Sequence, residues 1–206
     1  MKNILLVQHC QSEHHINNMT GGWTDTPLTE LGRQQAERIA LRLSQVASGK
    51  EYVLYYSDLL RAKQTADIIN ATLELPIIVD GELREINSGI AAGQTREWAN
   101  EHRNPRAGHD FELDYREFAE GETWREFYAR VSHCMERITL TEHNNIIIVT
   151  HGGTISYIIA WWLKFELHML AQAYFPASAG SLSRLGQNNF GQQTLNLFND
   201  TSHLQG

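Results

Sequence analysis

Three short runs of consecutive apolar residues punctuate the chain: Ile4-Leu5-Leu6-Val7, Tyr52-Val53-Leu54-Tyr55-Tyr56 and Ile146-Ile147-Ile148-Val149. A run without polar alternation has no side meant for water, which predicts strands buried on both faces of a parallel sheet. Between the first two, Leu31, Ala36, Ile39, Ala40 and Leu43 recur at roughly helical spacing, predicting a helix over 29–46 with Thr29 as its cap. After the second run, Ala62, Ala66, Ile69 and Leu73 predict a helix over 60–73, and Phe127, Val131, Cys134, Met135 and Ile138 predict another over 123–138. Strands alternating with helices imply an α/β fold, a three-layer sandwich around a mostly parallel central sheet with right-handed crossovers. From Leu182 the pattern changes to apolar–polar alternation with turns at Gly186 and Gly191, predicting a closing antiparallel pair.

Residues 97–122 break this rhythm, being charged and polar with Pro105 and Gly108 and few aliphatics. They read as an excursion covering one end of the sheet, so that 1–206 forms one domain. Its aromatic residues Trp98, Phe111, Tyr115 and Phe118 are expected to form a small core of their own or to touch a ligand.

Composition narrows the function classes. A chain of 206 residues with 42% hydrophobic content can bury one substantial core. The formal charge of −7 argues against a nucleic-acid partner, which would need a basic face, yet leaves room for a small phosphorylated ligand held by a local cluster of donors. Cys10 and Cys134 suggest free thiols in a reducing compartment. The apolar run Ile4–Val7 is too short for a secretion signal, and Ile155–Leu163 continues into Lys164 and Glu166. A soluble cytoplasmic protein is expected, monomeric or homodimeric, with no membrane partner.

Ligands of open α/β sheets bind outside the carboxyl ends of the strands. The residues there are Gln8-His9-Cys10-Gln11-Ser12, Ser57-Asp58-Leu59-Leu60-Arg61 and Thr150-His151-Gly152-Gly153. Two histidines and an arginine thus converge on one edge from three distant segments. A neutral histidine held in one tautomer can attack phosphorus. Arginine and a second histidine can stabilise the equatorial oxygens, and an acid of raised pKa must protonate the leaving alkoxide. Glu85, in Leu83-Arg84-Glu85-Ile86-Asn87-Ser88-Gly89, is the candidate acid.

These motifs resemble the histidine phosphatase superfamily, the phosphoglycerate mutase-like proteins, nearly from end to end. The resemblance is carried by Gly22-Trp23-Thr24-Asp25-Thr26-Pro27-Leu28-Thr29-Glu30-Leu31-Gly32, the Ser57–Ala66 stretch, Leu83–Gly93, Gly121-Glu122-Thr123, Thr150–Gly153 and Asn199–Leu204. It implies His9 as nucleophile, Glu85 as proton donor and His151 as transition-state stabiliser, with Gln8, Ser12, His15, Gly22, Arg61 and Gly152 binding phosphate and substrate. It implies no metal and no cofactor. The first motif departs from the family's Arg-His-Gly: Gln8 stands for the arginine, Cys10 for the glycine, and His15 for a closing asparagine. A neutral amide replaces a charged fork at Gln8, which implies slower chemistry. An imidazolium at His15 would restore a positive charge below its ordinary pKa of about 6.5. Cys10 is expected to pack under the loop as a small side chain.

The expected function is a phosphomonoesterase acting through a phosphohistidine on a small phosphorylated metabolite. The alternatives are mutase-type phosphoryl transfer, for which Arg96, Arg103 and Arg106 could hold a carboxylate, and a weakly active or inactive member that binds phosphorylated ligands.

Overall fold

The computed structural model describes residues 1–205. Six strands form one sheet: β1 (Asn3–Gln8), β2 (Tyr52–Tyr56), β3 (Ile77–Val79), β4 (Asn145–Thr150), β5 (Leu182–Gln187) and β6 (Gln193–Asp200), in the order β3-β2-β4-β1-β5-β6. The pairs β1–β4, β4–β2 and β2–β3 are parallel, whereas β5 runs antiparallel to both β1 and β6. The sheet is therefore mostly parallel with one reversed strand, as the change of pattern at Leu182 predicts.

Six α-helices accompany it: α1 (Glu13–Ile16), α2 (Glu30–Ala47), α3 (Leu60–Leu73), α4 (Arg96–Glu101), α5 (Trp124–Leu140) and α6 (Gly152–Trp162). Side chains alternate across the sheet, so Leu5, Val7, Leu54, Ile147 and Val149 meet α2 and α3 on one face. Ile4, Leu6, Val53, Ile146 and Ile148 meet α5 and α6 on the other. Two apolar layers on either side of β1 and β4 explain why those strands read as unbroken hydrophobic runs. The long helices begin where hydroxyl caps stand: Thr29 Oγ1 accepts from the Gly32 amide, and Thr123 forms a reciprocal capping box with Glu126.

Four features differ from the sequence expectations. Gly186, expected at a turn, lies within β5 opposite Thr194, and the connection to β6 carries Gly191 instead. Strand β3 has no signal of its own, because three exposed residues at a sheet edge are too few to show a period. Leu31, counted on the buried stripe of α2, is 49% exposed, since the helix turns its Ala36–Leu43 face to the sheet. The excursion opens with helix α4. Within it Trp98, Ala99 and Phe118 pack with Ala91 into a small satellite core, while Phe111 joins the main one. The Tyr157–Trp162 segment is core as well, with Tyr157 and Trp162 buried against α5 and the sheet. No helix among the described residues is long and apolar enough to cross a membrane.

Candidate active site

Strand register assembles the site. Gln8 lies opposite Thr150 and Tyr56 opposite Val149, so the chain leaves the sheet at one edge as His9, His151 and Ser57. Backbone bonds hold these exits together: the His9 amide donates to Thr150 O and the Ser57 amide to Val149 O. Helix α3 starts directly after Ser57-Asp58-Leu59, and its first turn carries Arg61 inward. The His9 and His151 rings stand 5.0 Å apart, edge to face.

The tautomer of His9 is determined twice over. Its Nδ1 faces the Cys10 carbonyl at 2.8 Å and must carry the proton. Arg61 Nε, which is always protonated, lies 3.1 Å from His9 Nε2 and can only donate to it. Nε2 is therefore the unprotonated nitrogen, and its lone pair accepts from Arg61. Burial, then the Arg61 charge, hold the His9 pKa well below its ordinary value, so the ring is neutral at physiological pH.

Arg61 is almost wholly enclosed and donates from its Nη atoms to the carbonyls of Thr24 and Gly22, each at 2.7 Å. Desolvation lowers its pKa to about 10, leaving it charged. Three of its five N–H groups are thus used to orient it. Gly22 has a left-handed φ of 58°, and a Cβ there would collide with Ser88 and the Ile86 carbonyl. His151 Nε2 pairs with Ser57 Oγ at 2.8 Å, while its Nδ1 is buried without a partner among the described residues. Burial and Arg61 keep this ring neutral too.

Glu85 sits across from these groups on the loop after Leu83. Its Oε2 accepts from the Gly153 amide, in the first turn of α6, at 2.8 Å, and its Oε1 from the Ile86 amide at 3.0 Å. Burial raises its pKa against the pull of those two amides. The loop itself is clamped by Arg130, which donates to the carbonyls of Glu82, Arg84 and Glu85 while paired with Glu122 at 2.6 Å. Glu122 Oε2 in turn accepts from the Asn87 amide. Ser57, Arg130 and Glu122 carry no chemical signature in the sequence as positioning groups, although two of them lie in the motifs quoted above.

The departures from the family pattern fall as follows. Gln8 is 8% exposed and lies along the start of α6, where a Cβ on Gly152 would come within 3.2 Å of its Oε1. That oxygen is buried without a partner. Ser12 is buried, bonding His14 Nδ1 through Oγ at 2.9 Å and His15 Nδ1 through its amide at 3.1 Å. His15 stacks on His9 with ring centroids 5.5 Å apart, yet burial and the charges of Arg61 and Arg96 lower its pKa. Its imidazolium therefore forms only at more acidic pH than the unperturbed value suggests. Of the two neighbours His14 is the buried one, and desolvation pushes its pKa down to about 3. The Cys10 thiol, enclosed among Val7, Leu28 and Ala36, is pushed up to about 12 by burial and stays protonated.

Two recesses flank Glu85. One, of about 290 Å³, is walled by Phe111, Trp124, Phe127 and Tyr157, with Gly153 reaching it from α6. The other, of about 230 Å³, is lined by Gly22, Ser88, Arg96 and Arg103. Arg103 is paired with Glu117 at 3.1 Å and Arg96 Nε donates to Met19 O, while Arg106 lies over the Tyr115 ring.

The chain is similar to known proteins in sequence and in fold. The chain is 34% identical over 157 residues to phosphoglycerate mutase-like protein 4 of Arabidopsis thaliana, covering 74% of this chain and 67% of that protein. It is 31% identical over 165 residues to putative phosphoserine phosphatase 2 of Hydrogenobacter thermophilus, covering 77% of each. Its fold superposes on the α-ribazole phosphatase of Shigella flexneri with a TM-score of 0.78 at 22% identity, over 96% of both chains. Residues 4–201 match the histidine phosphatase superfamily (branch 1), and the chain belongs to that superfamily.

Proposed function

We propose that the chain hydrolyses phosphate monoesters of small metabolites through a phosphohistidine at His9. The observation that carries this reading is Arg61 Nε donating into His9 Nε2, which leaves an unprotonated nitrogen beside a buried, permanently charged guanidinium. When a phosphoryl group enters, Arg61 Nε–H turns from His9 Nε2 to a phosphoryl oxygen, and the freed Nε2 lone pair attacks phosphorus as the phosphorus–alkoxide bond breaks. In this reading the two remaining N–H groups of Arg61, together with His151, would meet the phosphoryl oxygens, where charge accumulates. Glu85, whose pKa is raised by burial, passes its proton to the leaving oxygen. Its carboxylate then takes a proton from the water that attacks the phosphohistidine, releasing inorganic phosphate and restoring both groups.

Names of relatives include a putative phosphoserine phosphatase and a broad-specificity phosphatase of Saccharomyces cerevisiae, which favours hydrolysis. Mutase-type transfer would require a cation to hold the substrate carboxylate; Arg103 is paired with Glu117 and Arg106 lies over Tyr115, which leaves that task to Arg96, whose Nε donates to Met19 O. The experiment is turnover of p-nitrophenyl phosphate from acid to neutral pH, with His9→Ala as control and acid-quenched samples assayed for phosphohistidine. Turnover lost in the variant is expected. An inactive parent chain would leave only the reading of a phosphate-ester binder, for which Gln8 is the support.

A further inference from the structure

The recess walled by aromatic side chains is not used by any step above, and its position defines what it could hold. Gly153 contributes to its lining and also donates its amide to Glu85 Oε2. A group bonded to the oxygen that Glu85 protonates therefore begins within one residue of this space. Tyr157 and Tyr174, both on its wall, lie near enough to feel the Glu85 charge.

The lining is mostly apolar, with Gln172 and the tyrosines Tyr157 and Tyr174 as its polar side chains. Phe111 and Trp124 have ring centroids 5.6 Å apart, and Trp124 meets Tyr157 edge to face at 6.5 Å. Leu170 and Ala171 add aliphatic surface, and none of the described residues lining it is charged. A carboxylate or ammonium moved into such a space would lose hydration with no opposite charge on the lining to replace it. A cavity of about 150 Å³ suffices for a benzene ring. At about 290 Å³, this one has room for a ring system of roughly twice that size. The walls come from three places: the 97–122 excursion supplies Phe111, α5 and α6 supply Trp124 and Tyr157, and the segment after α6 supplies Leu170 to Tyr174.

We infer that this recess is the alcohol subsite, and that the preferred substrates are phosphate monoesters of uncharged, aromatic or bulky apolar alcohols. The inference rests on the phosphatase reading above and adds the substrate class to it. The competing recess is the polar one at Arg96 and Arg103, where a carboxylate-bearing alcohol would sit.

The test compares kcat/KM for 2-phenylethyl phosphate, ethyl phosphate and 2-carboxyethyl phosphate, three primary alkyl esters chosen to keep the leaving-group chemistry close. The phenyl ester is expected to exceed the ethyl ester at least about tenfold, the scale at which apolar pockets discriminate, with the carboxylate ester poorest. Tyr174→Ala and Phe111→Ala, from separate segments, should each shrink the phenyl-to-ethyl ratio, and Ala173→Arg should shift preference toward the carboxylate ester. Tyr174 is 61% exposed, so its variant is not expected to unfold. A ratio near one, a ratio untouched by both alanine variants, or a preference for the carboxylate ester overturns the inference. If no ester is turned over, the phosphatase reading fails separately. Calorimetric titration with 2-phenylethyl and ethyl phosphate then decides the pocket: tenfold tighter binding of the former supports it, and equal or absent binding overturns it.

Discussion

At the scale of single residues, the pocket depends on two positions where a side chain is the wrong size or charge for what surrounds it. Gln8 places a neutral amide beside α6 with its oxygen buried and unpaired, next to a nucleophile that needs positive partners. Removing one preorganised donor from such a site costs about 10²–10³ in turnover, so Gln8→Arg is expected to raise kcat on p-nitrophenyl phosphate by about a hundredfold. An unchanged rate would mean that Arg61 and His151 alone carry the transition-state charge. Gly153 is constrained in the opposite way: a Cβ there would lie 2.4 Å from Glu85 Oε1. Gly153→Ala should displace the acid, slowing alkyl phosphates more than p-nitrophenyl phosphate, whose leaving group needs no proton. Equal slowing of both would point to damage at His9 instead.

At the scale of elements, the acid loop is held from outside by α5. Arg130 spans three carbonyls of the 82–85 segment, and its partner Glu122 secures Asn87. The two side chains are each 16% exposed, so cutting the pair leaves a poorly solvated carboxylate. Arg130→Met is expected to destabilise the fold by about 3 kcal/mol, the low end for a broken buried pair, as read from chemical denaturation. It should also lower kcat on alkyl phosphates more than on p-nitrophenyl phosphate. A purely structural role would reduce both alike. Helices α2, α3 and α5 were legible in sequence because their stripes repeat locally, and hydroxyl caps mark the starts of α2 and α5. This clamp was not, because its geometry joins a loop to a helix nearly 50 residues away.

At the scale of the whole molecule, one charge pattern governs two pH dependences. Burial and Arg61 keep His9 neutral below its ordinary pKa, and burial keeps Glu85 protonated above its own. The rate on alkyl phosphates relative to p-nitrophenyl phosphate should therefore be highest in acid and fall as Glu85 loses its proton; a ratio flat with pH would remove Glu85 as the acid. Stability runs the other way. His9, His14 and His151 have depressed pKa values in the folded chain, so they stabilise it above about pH 6.5, the unfolded value. That contribution is lost as pH falls toward the folded values, about 3 for His14. Glu85, raised, opposes this in part. A melting temperature that held steady from pH 7 to 5 would contradict the pattern.

The sequence by itself determined the layered α/β fold and pointed to His9, Arg61, Glu85 and His151 as the proposed site, because both are written in local patterns: apolar runs, helical stripes, and motifs at strand ends. Strand register, which brings Gln8 opposite Thr150 and so sets two histidine rings 5.0 Å apart, was decided only in three dimensions. So was the choice of His14 over His15 as the buried ring, since only packing determines which neighbour turns inward. The aromatic recess belongs to the same class. Its walls are drawn from segments that share no local pattern, and they meet only because the sheet and α6 hold them around one carboxylate.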